Sequence, residues 1–473
     1  MTATGERPLR AQSLPPRIPN SNYDIEIFQG PVIAPIRVTA LGGAYTALAE
    51  GTEGSAANSA APAVRTAYST TWFDYDISLG ISFPGAFTNT DFDNHGDNAT
   101  LPPQHASPGD YTDLNVGGTL QLGGLGVAAV GDLEQYSLST PGQPTLTLQL
   151  GRWKALTSYG FWGGQLAVGG GVRIVTMQIE QDGAGTVLNM AGVSPEAGAI
   201  LIPNGLPWRL GVTGRAPVSG GVGVGFLGQQ IFPGSPSSRQ PSGNLVLPSH
   251  VVMPWELEVG FALQLGPRPL NPRWENPHAQ EGHLRGEIEA DRAARLRRYE
   301  EELERLPPAE RPARKAEQQS EEKALRSLED QHLDEESAHL RRVRRARYAN
   351  WPRERILLLA SVLFTGQSSN AVSVEGFLDQ RVEAVGQQVT VSPRLGLEAE
   401  PLQNHVVLRT GTYVEPSRYE GGAARQHFTF GGDIRLIPLT FWGLFPDDPW
   451  KLGLMVDLAP RYTNYGFGFG SWH

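Results

Sequence analysis

Apolar and polar residues take turns in stretch after stretch of this chain. Leu114, Val116, Gly118, Leu120 and Leu122 alternate with Asp113, Asn115, Gly117, Thr119 and Gln121. Trp255, Leu257, Val259, Phe261 and Leu263 alternate with Glu256, Glu258, Gly260, Ala262 and Gln264. Phe428, Phe430, Ile434 and Leu436 do so with His427, Thr429, Asp433 and Arg435. A period of two sends successive side chains to opposite faces of a strand. Here one face is apolar and the other is charged or very small. A soluble sandwich also produces alternation. A transmembrane barrel produces it repeatedly, with lipid outside and a polar lumen inside.

The pattern predicts strands near 67–83, 111–122, 125–137, 144–160, 165–181, 187–202, 206–217, 250–265, 353–366, 388–400, 403–415, 425–438, 449–460 and 462–473. The expected fold is all-β, a transmembrane antiparallel barrel of about 14 strands over 66–473, an even number as bacterial barrels use. Ahead of it, 1–22 read as a disordered leader rich in Pro, Arg and Ser. The small-residue segment 23–65 reads as a compact element, with Leu41-Gly42-Gly43-Ala44-Tyr45 at its centre.

Connection lengths follow the barrel rule of short periplasmic turns and longer outer loops. If the first strand runs outward, 84–110, 138–143, 182–186, 218–249, 367–387 and 416–424 lie outside. The turns at 123–124, 162–164, 203–205 and 401–402 then lie in the periplasm. Residues 266–352 break the rule, because parity puts this long insertion on the periplasmic side. It is dense in Glu, Arg, Ala and Leu, and Pro307-Pro308 divides it into two expected helices, 279–306 and 310–348. Glu and Arg three and four apart support such helices in water. It reads either as a solvated hairpin or as a docking arm for a periplasmic protein or the cell wall. Aromatic pairs stand where girdles belong: Trp72 and Phe73, Trp153 and Tyr159, Phe161 and Trp162, Phe441 and Trp442, Trp450, then Phe467, Phe469 and Trp472.

Composition changes this picture little. The 473 residues are 40% hydrophobic, with mean hydropathy −0.28. These values exclude a polytopic helical membrane protein but not a barrel, half of whose strand residues face water. A net charge of −10 offers no basic footprint for nucleic acid. Cysteine is absent, which removes disulfide scaffolds and thiolate metal sites. Residues 1–30 show no secretory signal; the expectation is an exported barrel whose signal is missing from this sequence.

Few motifs carry chemistry. Gly223-Val224-Gly225-Phe226-Leu227-Gly228 matches a dinucleotide fingerprint, but loop residues follow it where a helix is required. The apolar residues of this outer loop, Val222, Val224, Phe226, Leu227, Ile231 and Phe232, form a candidate landing patch for a hydrophobic ligand. The alternative is a loop folded over the barrel mouth. Asp91, Asp93 and Asp97, in Asp91-Phe92-Asp93-Asn94-His95-Gly96-Asp97, resemble the start of a calcium loop, with His95 where Asp or Asn is expected. A structural calcium is the one cofactor considered. No catalytic set is visible among the 10 histidines, so a non-enzyme is expected.

With these strands placed, several segments resemble the FadL-type family of outer-membrane transporters for long-chain fatty acids and other hydrophobic compounds. Ser194-Pro195-Glu196-Ala197-Gly198-Ala199-Ile200-Leu201-Ile202-Pro203, followed by Trp208-Arg209-Leu210-Gly211-Val212-Thr213-Gly214-Arg215-Ala216-Pro217-Val218, resembles a hairpin of that family. Leu408-Arg409-Thr410-Gly411-Thr412-Tyr413-Val414-Glu415-Pro416 is also similar. Gly42-Gly43-Ala44-Tyr45 is similar to the start of the family's N-terminal hatch. The resemblance implies a hatch over 23–65 that plugs the lumen, including Gly42, Gly43, Tyr45, Asn58 and Pro62. Asn58-Ser59-Ala60-Ala61-Pro62 departs from the family's Asn-Pro-Ala, and the helical insertion is foreign to it. The resemblance further implies passive uptake of hydrophobic molecules through the bacterial outer membrane, with membrane lipid and lipopolysaccharide as neighbours. The alternative is a barrel of the same kind serving as an interaction or secretion-associated platform through its helical insertion. A general diffusion porin is a weaker third option, since a hatch opposes free conductance.

Overall fold

The computed structural model describes residues 15–27, 30–66, 69, 71–85, 90–95, 107–139, 145–183, 185–222, 246–274, 276–350, 352, 354–436 and 450–472. Its eighteen strands belong to one sheet. Two are short buried pieces, β1 (Asp24–Glu26) and β13 (Ala371–Val372), and β1 pairs in parallel with β13. The wall is made by β2 (Phe73–Ser82), β3 (Ser107–Leu122), β4 (Leu125–Ser139), β5 (Leu146–Phe161), β6 (Leu166–Gln181), β7 (Gly185–Leu201), β8 with β9 (Trp208–Arg215, Val218–Val222), β10 with β11 (His250–Met253, Glu256–Leu265), β12 (Ile356–Thr365), β14 (Thr390–Leu402), β15 (Val406–Glu415), β16 (Arg425–Arg435), β17 (Trp450–Ala459) and β18 (Tyr462–Ser471). Two staves are interrupted near Pro217 and Pro254, residues that cannot donate to a ladder. Fourteen staves result, every neighbouring pair antiparallel. The last, β18, pairs with the first, from Gly466 opposite Ser82 to Gly470 opposite Ser78, so the sheet closes on itself.

Alternation decides which side chains meet which solvent. On β3, Leu114, Val116 and Leu120 face out, while Asp113, Asn115, Thr119 and Gln121 are buried within. On β16, Phe428 and Phe430 are each about half exposed, and His427 and Thr429 are wholly buried between them. On β11, Leu257, Val259, Phe261 and Leu265 are outside and Glu258, Ala262 and Gln264 inside. A soluble core is the reverse of this. An apolar belt around a closed, edge-free sheet is a membrane-spanning design, since a closed ladder lets the backbone of the wall pair without water. Among the described residues, no helix is long and apolar enough to cross a membrane.

The inner segment begins beside the long connections and ends at the tight turns. The leader expected to be disordered over 1–22 is in fact packed from residue 15. Ile18 is buried, its N–H donates to the Gln380 carbonyl at 2.9 Å, and Arg381 Nη1 donates to the Pro15 carbonyl at 2.7 Å. Backbone groups of Gln380 and Val382 and the Arg381 side chain supply the partners, which a composition argument could not anticipate. Residues 1–14 lie outside the described residues. Next come α1 (Ile36–Ala40), α2 (Gly51–Ala57) and a 3₁₀ turn (Ala61–Ala63), all inside the ring. The wall opposite them is stripped to glycine. A Cβ at Gly126 would lie 2.0 Å from the Pro62 carbonyl oxygen, and one at Gly169 would lie 2.1 Å from that of Ser59.

The insertion forms α3 (Pro277–Arg305) and α4 (Arg311–Ala349). At 1.5 Å per residue these are about 44 and 58 Å long. Asn276 caps α3, accepting from the His278 N–H at 3.0 Å. The two run antiparallel, joined by Arg292–Glu329, Arg295–Glu322 and Arg314–Glu302 contacts of 2.8 Å each. The His278 ring stacks on Trp72 at 4.7 Å, and Arg65 lies over the Trp274 ring at 4.4 Å, fixing the foot of the hairpin to the barrel rim.

Two local expectations change. The connection over 367–387 contains β13 and a short helix, α5 (Val374–Leu378), capped by the Ser373 hydroxyl. Trp450, expected in a girdle, is buried and stacks on Phe469 at 5.0 Å. It shares the outward phase of Leu452 and Leu454 on its strand, so its burial goes with the stack on Phe469 and not with phase. Phe73, Tyr159, Phe161 and Trp162 are exposed near the tight-turn end, as a girdle requires. Phe441 and Trp442 lie outside the described residues.

Candidate functional site

The lumen changes character along its length, and the inward residues of single staves show why. On β5 they run Leu148, Leu150, Arg152, Lys154 and then Leu156 and Ser158. On β6 they run Ile179, Met177, Val175, then Arg173, then Gly169 and Ala167. Each stave therefore passes from apolar, through cationic, to small residues between the long-loop end and the tight-turn end.

The apolar layer is a continuous cluster. Tyr136, Leu148, Leu150, Met177, Ile179 and Met190 from the wall meet Ile18, Tyr23, Ile25 and Ile27 of the inner segment. Phe377 of α5 and Tyr462 of β18 complete it. A small cavity of about 20 Å³ touches it between Leu150, Met177 and Tyr419. An apolar interior at this end has no counterpart in the water-filled bore of a porin.

The middle layer holds a cavity of about 160 Å³. Ile27, Val32, Ile33 and Val38 of the inner segment line one side, and Arg152, Lys154, Arg173, Arg215 and Arg394 of the wall line the other. These cations are matched by acids. Arg173 and Arg215 share Glu256 at 3.2 and 3.3 Å, Lys154 is 3.4 Å from Glu196, and Arg152 is 3.2 Å from Glu134. Lys154 and Arg215 also donate to the Ala56 and Ala57 carbonyls, capping the C-terminal end of α2.

At the tight-turn end the inner segment packs against the inward face of the wall. Gly42 and Gly43 take positive φ of 62° and 76° and turn the chain after α1, a conformation that suits glycine. Tyr45 is fully buried, its ring 5.1 Å from the Arg37 guanidinium. The Asn58 side chain donates to the Thr46 and Val212 carbonyls and accepts from the Ala60 N–H. The Pro62 carbonyl accepts from Gln121 Nε2 at 2.8 Å. All five residues singled out in the sequence thus lie together inside the ring. Sequence reasoning missed what holds them. Arg37 of α1 forms a two-pronged pair with Glu398 of β14, both bonds 3.0 Å. Arg355 and Arg409 donate to the same carboxylate at 2.8 and 2.7 Å. Arg409 reaches Asp433 at 2.8 Å, and Lys451 bonds Glu53 of α2. Arg209 pairs with Glu50 at 2.8 Å. The one available signal was phase, since Glu398, Arg409 and Asp433 all occupy inward positions of their strands.

The predicted outer-loop sites fall only partly among the described residues. Val222 ends β9, while Val224, Phe226, Leu227, Ile231 and Phe232 lie outside the described residues. Asp97 does too. Asp91 is used within its own loop, where Oδ1 accepts from the His95 N–H at 2.8 Å. Asp93 instead sits among carboxylates. Burial, then Asp91, Glu134, Glu415 and Glu383, push its carboxyl up to about 7. Burial opposes charge on His95 as well, but Glu383, Asp91 and Asp93 hold its pKa above the ordinary histidine value. A carboxyl whose pKa rises on folding favours the folded state less once the unfolded chain ionises. Stability of the 90–95 loop is therefore expected to fall as pH rises from about 4 to about 7. Amide exchange of residues 90–95 checks this, and protection that grows across that window would be the contrary result.

No family model matches the chain, and no curated protein matches it. Among solved structures, it is similar to a Pseudomonas aeruginosa FadL homologue at 8% identity and TM-score 0.46, over 94% of this chain and 98% of that one. It is similar to the Ralstonia pickettii toluene transporter TbuX at 11% identity and TM-score 0.45, over 93% and 98%. The Pseudomonas putida toluene transporter TodX is similar at 11% identity and TM-score 0.43, over 95% and 97%.

Proposed function

We propose that this barrel sits in the bacterial outer membrane and passively takes up hydrophobic small molecules. The observation that carries the proposal is the apolar layer inside one end of a bore whose remaining wall is charged. A solute that prefers hydrocarbon gains by entering Leu148, Leu150, Met177 and Ile179, whereas an ion or sugar does not. Long connections face outward in such barrels, so the apolar layer is the entrance and the inner segment is a hatch at the periplasmic end. The amphipathic cavity behind the entrance suits a long-chain, fatty-acid-like ligand, with its chain against Ile27 and Ile33 and its carboxylate toward Arg152 and Lys154. Catalysis has no part in this.

The insertion supports a second reading. Its helices bury charged and polar residues against each other, and Leu328 and Val343 stay exposed. Such a hairpin on the periplasmic rim suits a platform for a periplasmic protein or the cell wall. One experiment separates the two. Cells with an intact lipopolysaccharide layer and no other such channel receive either the full chain or a chain lacking 277–349. Uptake of labelled long-chain fatty acid is expected to rise several-fold in both, with no gain for a sugar of similar mass. Loss of uptake on deleting the hairpin, or equal gain for the sugar, would overturn the uptake proposal.

A further inference from the structure

The calcium-like loop and the 371–386 connection meet at the mouth of the barrel and bring three donors together. His95, Glu375 and Glu383 each present one ligand atom, all within 4.8 Å of one another. His95 Nε2 stands 3.0 Å from Glu383 Oε1. The other Glu383 oxygen accepts from the Ser373 hydroxyl at 2.8 Å, which orients the carboxylate. The His95 ring is held by stacking on Tyr419 at 4.2 Å and an interplanar angle of 19°. Its backbone N–H is held by Asp91. Positioned ligands with polar partners behind them are what a metal site requires.

Two further observations point to something missing between them. Glu375 lies in the first turn of α5, and its carboxylate makes no hydrogen bond or ion pair among the described residues. The Tyr419 hydroxyl is buried, with the residue 9% exposed, and makes no hydrogen bond of good geometry. It stands beside Ser373 and faces Asp93, Glu375 and Glu383. Four oxygen groups and an imidazole thus converge at the mouth. We propose that His95, Glu375 and Glu383 bind a divalent transition-metal ion of the zinc class, with Asp93 and the Tyr419 hydroxyl on its open side.

The donor chemistry selects the ion. Calcium takes six or more oxygens and has no use for an imidazole, whereas one histidine nitrogen and two carboxylates with open positions suit zinc and its neighbours. The geometry is close to ready. Ligand bonds of about 2.0–2.1 Å at a tetrahedral angle put two donor atoms roughly 3.3 Å apart, so the His95–Glu383 pair need open only slightly when the ion replaces the shared proton. His95, the residue that broke the calcium pattern, becomes the one that defines the site. Bound metal would clip the 90–95 loop to α5 across the entrance.

The test uses the full chain purified in detergent and dialysed against Zn²⁺, Mn²⁺ or Ca²⁺ alone. Retained metal is measured by elemental analysis, together with the melting temperature. About one zinc per chain and a raised melting temperature are expected, with calcium failing to do either. Glu375→Gln, which breaks no existing bond, should weaken zinc binding at least about tenfold without altering the metal-free melting temperature. His95→Ala should weaken it further. Absence of zinc binding, zinc binding unchanged in both variants, or a preference for calcium would each overturn the proposal. Unchanged binding would assign the ion to other histidines, such as those of the hairpin.

Discussion

Glu398→Ala is expected to unseat the hatch. The carboxylate is wholly buried and accepts from Arg37, Arg355 and Arg409 together. Its removal leaves three guanidiniums crowded around an empty site, with only Asp433, Glu50 and Glu53 nearby to answer them. Breaking a buried ion pair on one side costs about 3–5 kcal/mol. The loss falls on the contact between α1 and the wall, because Arg37 belongs to the inner segment and Glu398 to β14. The closed fourteen-stave ring survives, as its ladder hydrogen bonds are untouched. Planar-bilayer recordings should therefore change from silent to flickering conductance, and heat-modifiable gel migration should show the barrel intact. Glu398→Gln keeps the acceptor oxygen and should fall between the two. A silent Glu398→Ala barrel would mean the hatch is held elsewhere.

Met177→Glu should abolish uptake while leaving the hatch in place. Met177 is buried in the apolar layer between Leu150 and Ile179 and borders the small cavity there. The cation lining the same small cavity, Arg418, is already paired with Glu26 at 2.7 Å, and Arg173 lies further along the stave in the next layer. It either draws water into the layer or raises the barrier for an apolar solute. About 1.4 kcal/mol of added barrier already lowers the rate tenfold. Met177→Ala is the companion variant. It removes volume without adding charge, so uptake should persist or rise even though stability falls by about 2–5 kcal/mol. Equal loss in both variants would point to misfolding, and unchanged uptake in Met177→Glu would remove the apolar layer from the transport route. Initial rates of labelled fatty-acid uptake, normalised to folded barrel, distinguish these outcomes.

The barrel could be read from the chain because its signal is local and repeated. A residue such as Phe430 between Thr429 and Gly431 announces its side of the sheet without reference to anything distant. Pro307-Pro308 divides the hairpin just as locally. What joins residues far apart in sequence could not be read. Arg37 and Glu398 are separated by 361 positions, and His95 meets Glu383 only because two connections fold over the same mouth. Their side-chain types were visible, but their distance depends on how fourteen staves are arranged. The calcium reading of Asp91, Asp93 and Asp97 rests on local spacing alone. Asp91 caps its own turn, Asp93 borders the inner cavity, and Asp97 lies outside the described residues. The burial of Trp450 was equally illegible, because it shares the outward phase of the exposed Leu452 and Leu454 and its stacking partner Phe469 belongs to the next stave.

Closure between β18 and β2 imposes an order of events on biogenesis. The stave made first pairs with the next one early, but gains its second partner only when residues 466–470 have been synthesised and delivered. Until then both are raw edges seeking other strands. The segment ahead of β2 must already lie within the curling sheet, since the finished wall offers no seam through which α1 and α2 could be inserted later. Contacts this distant in sequence also form slowly. The unfinished chain therefore depends on escorts that shield its two edges until they meet.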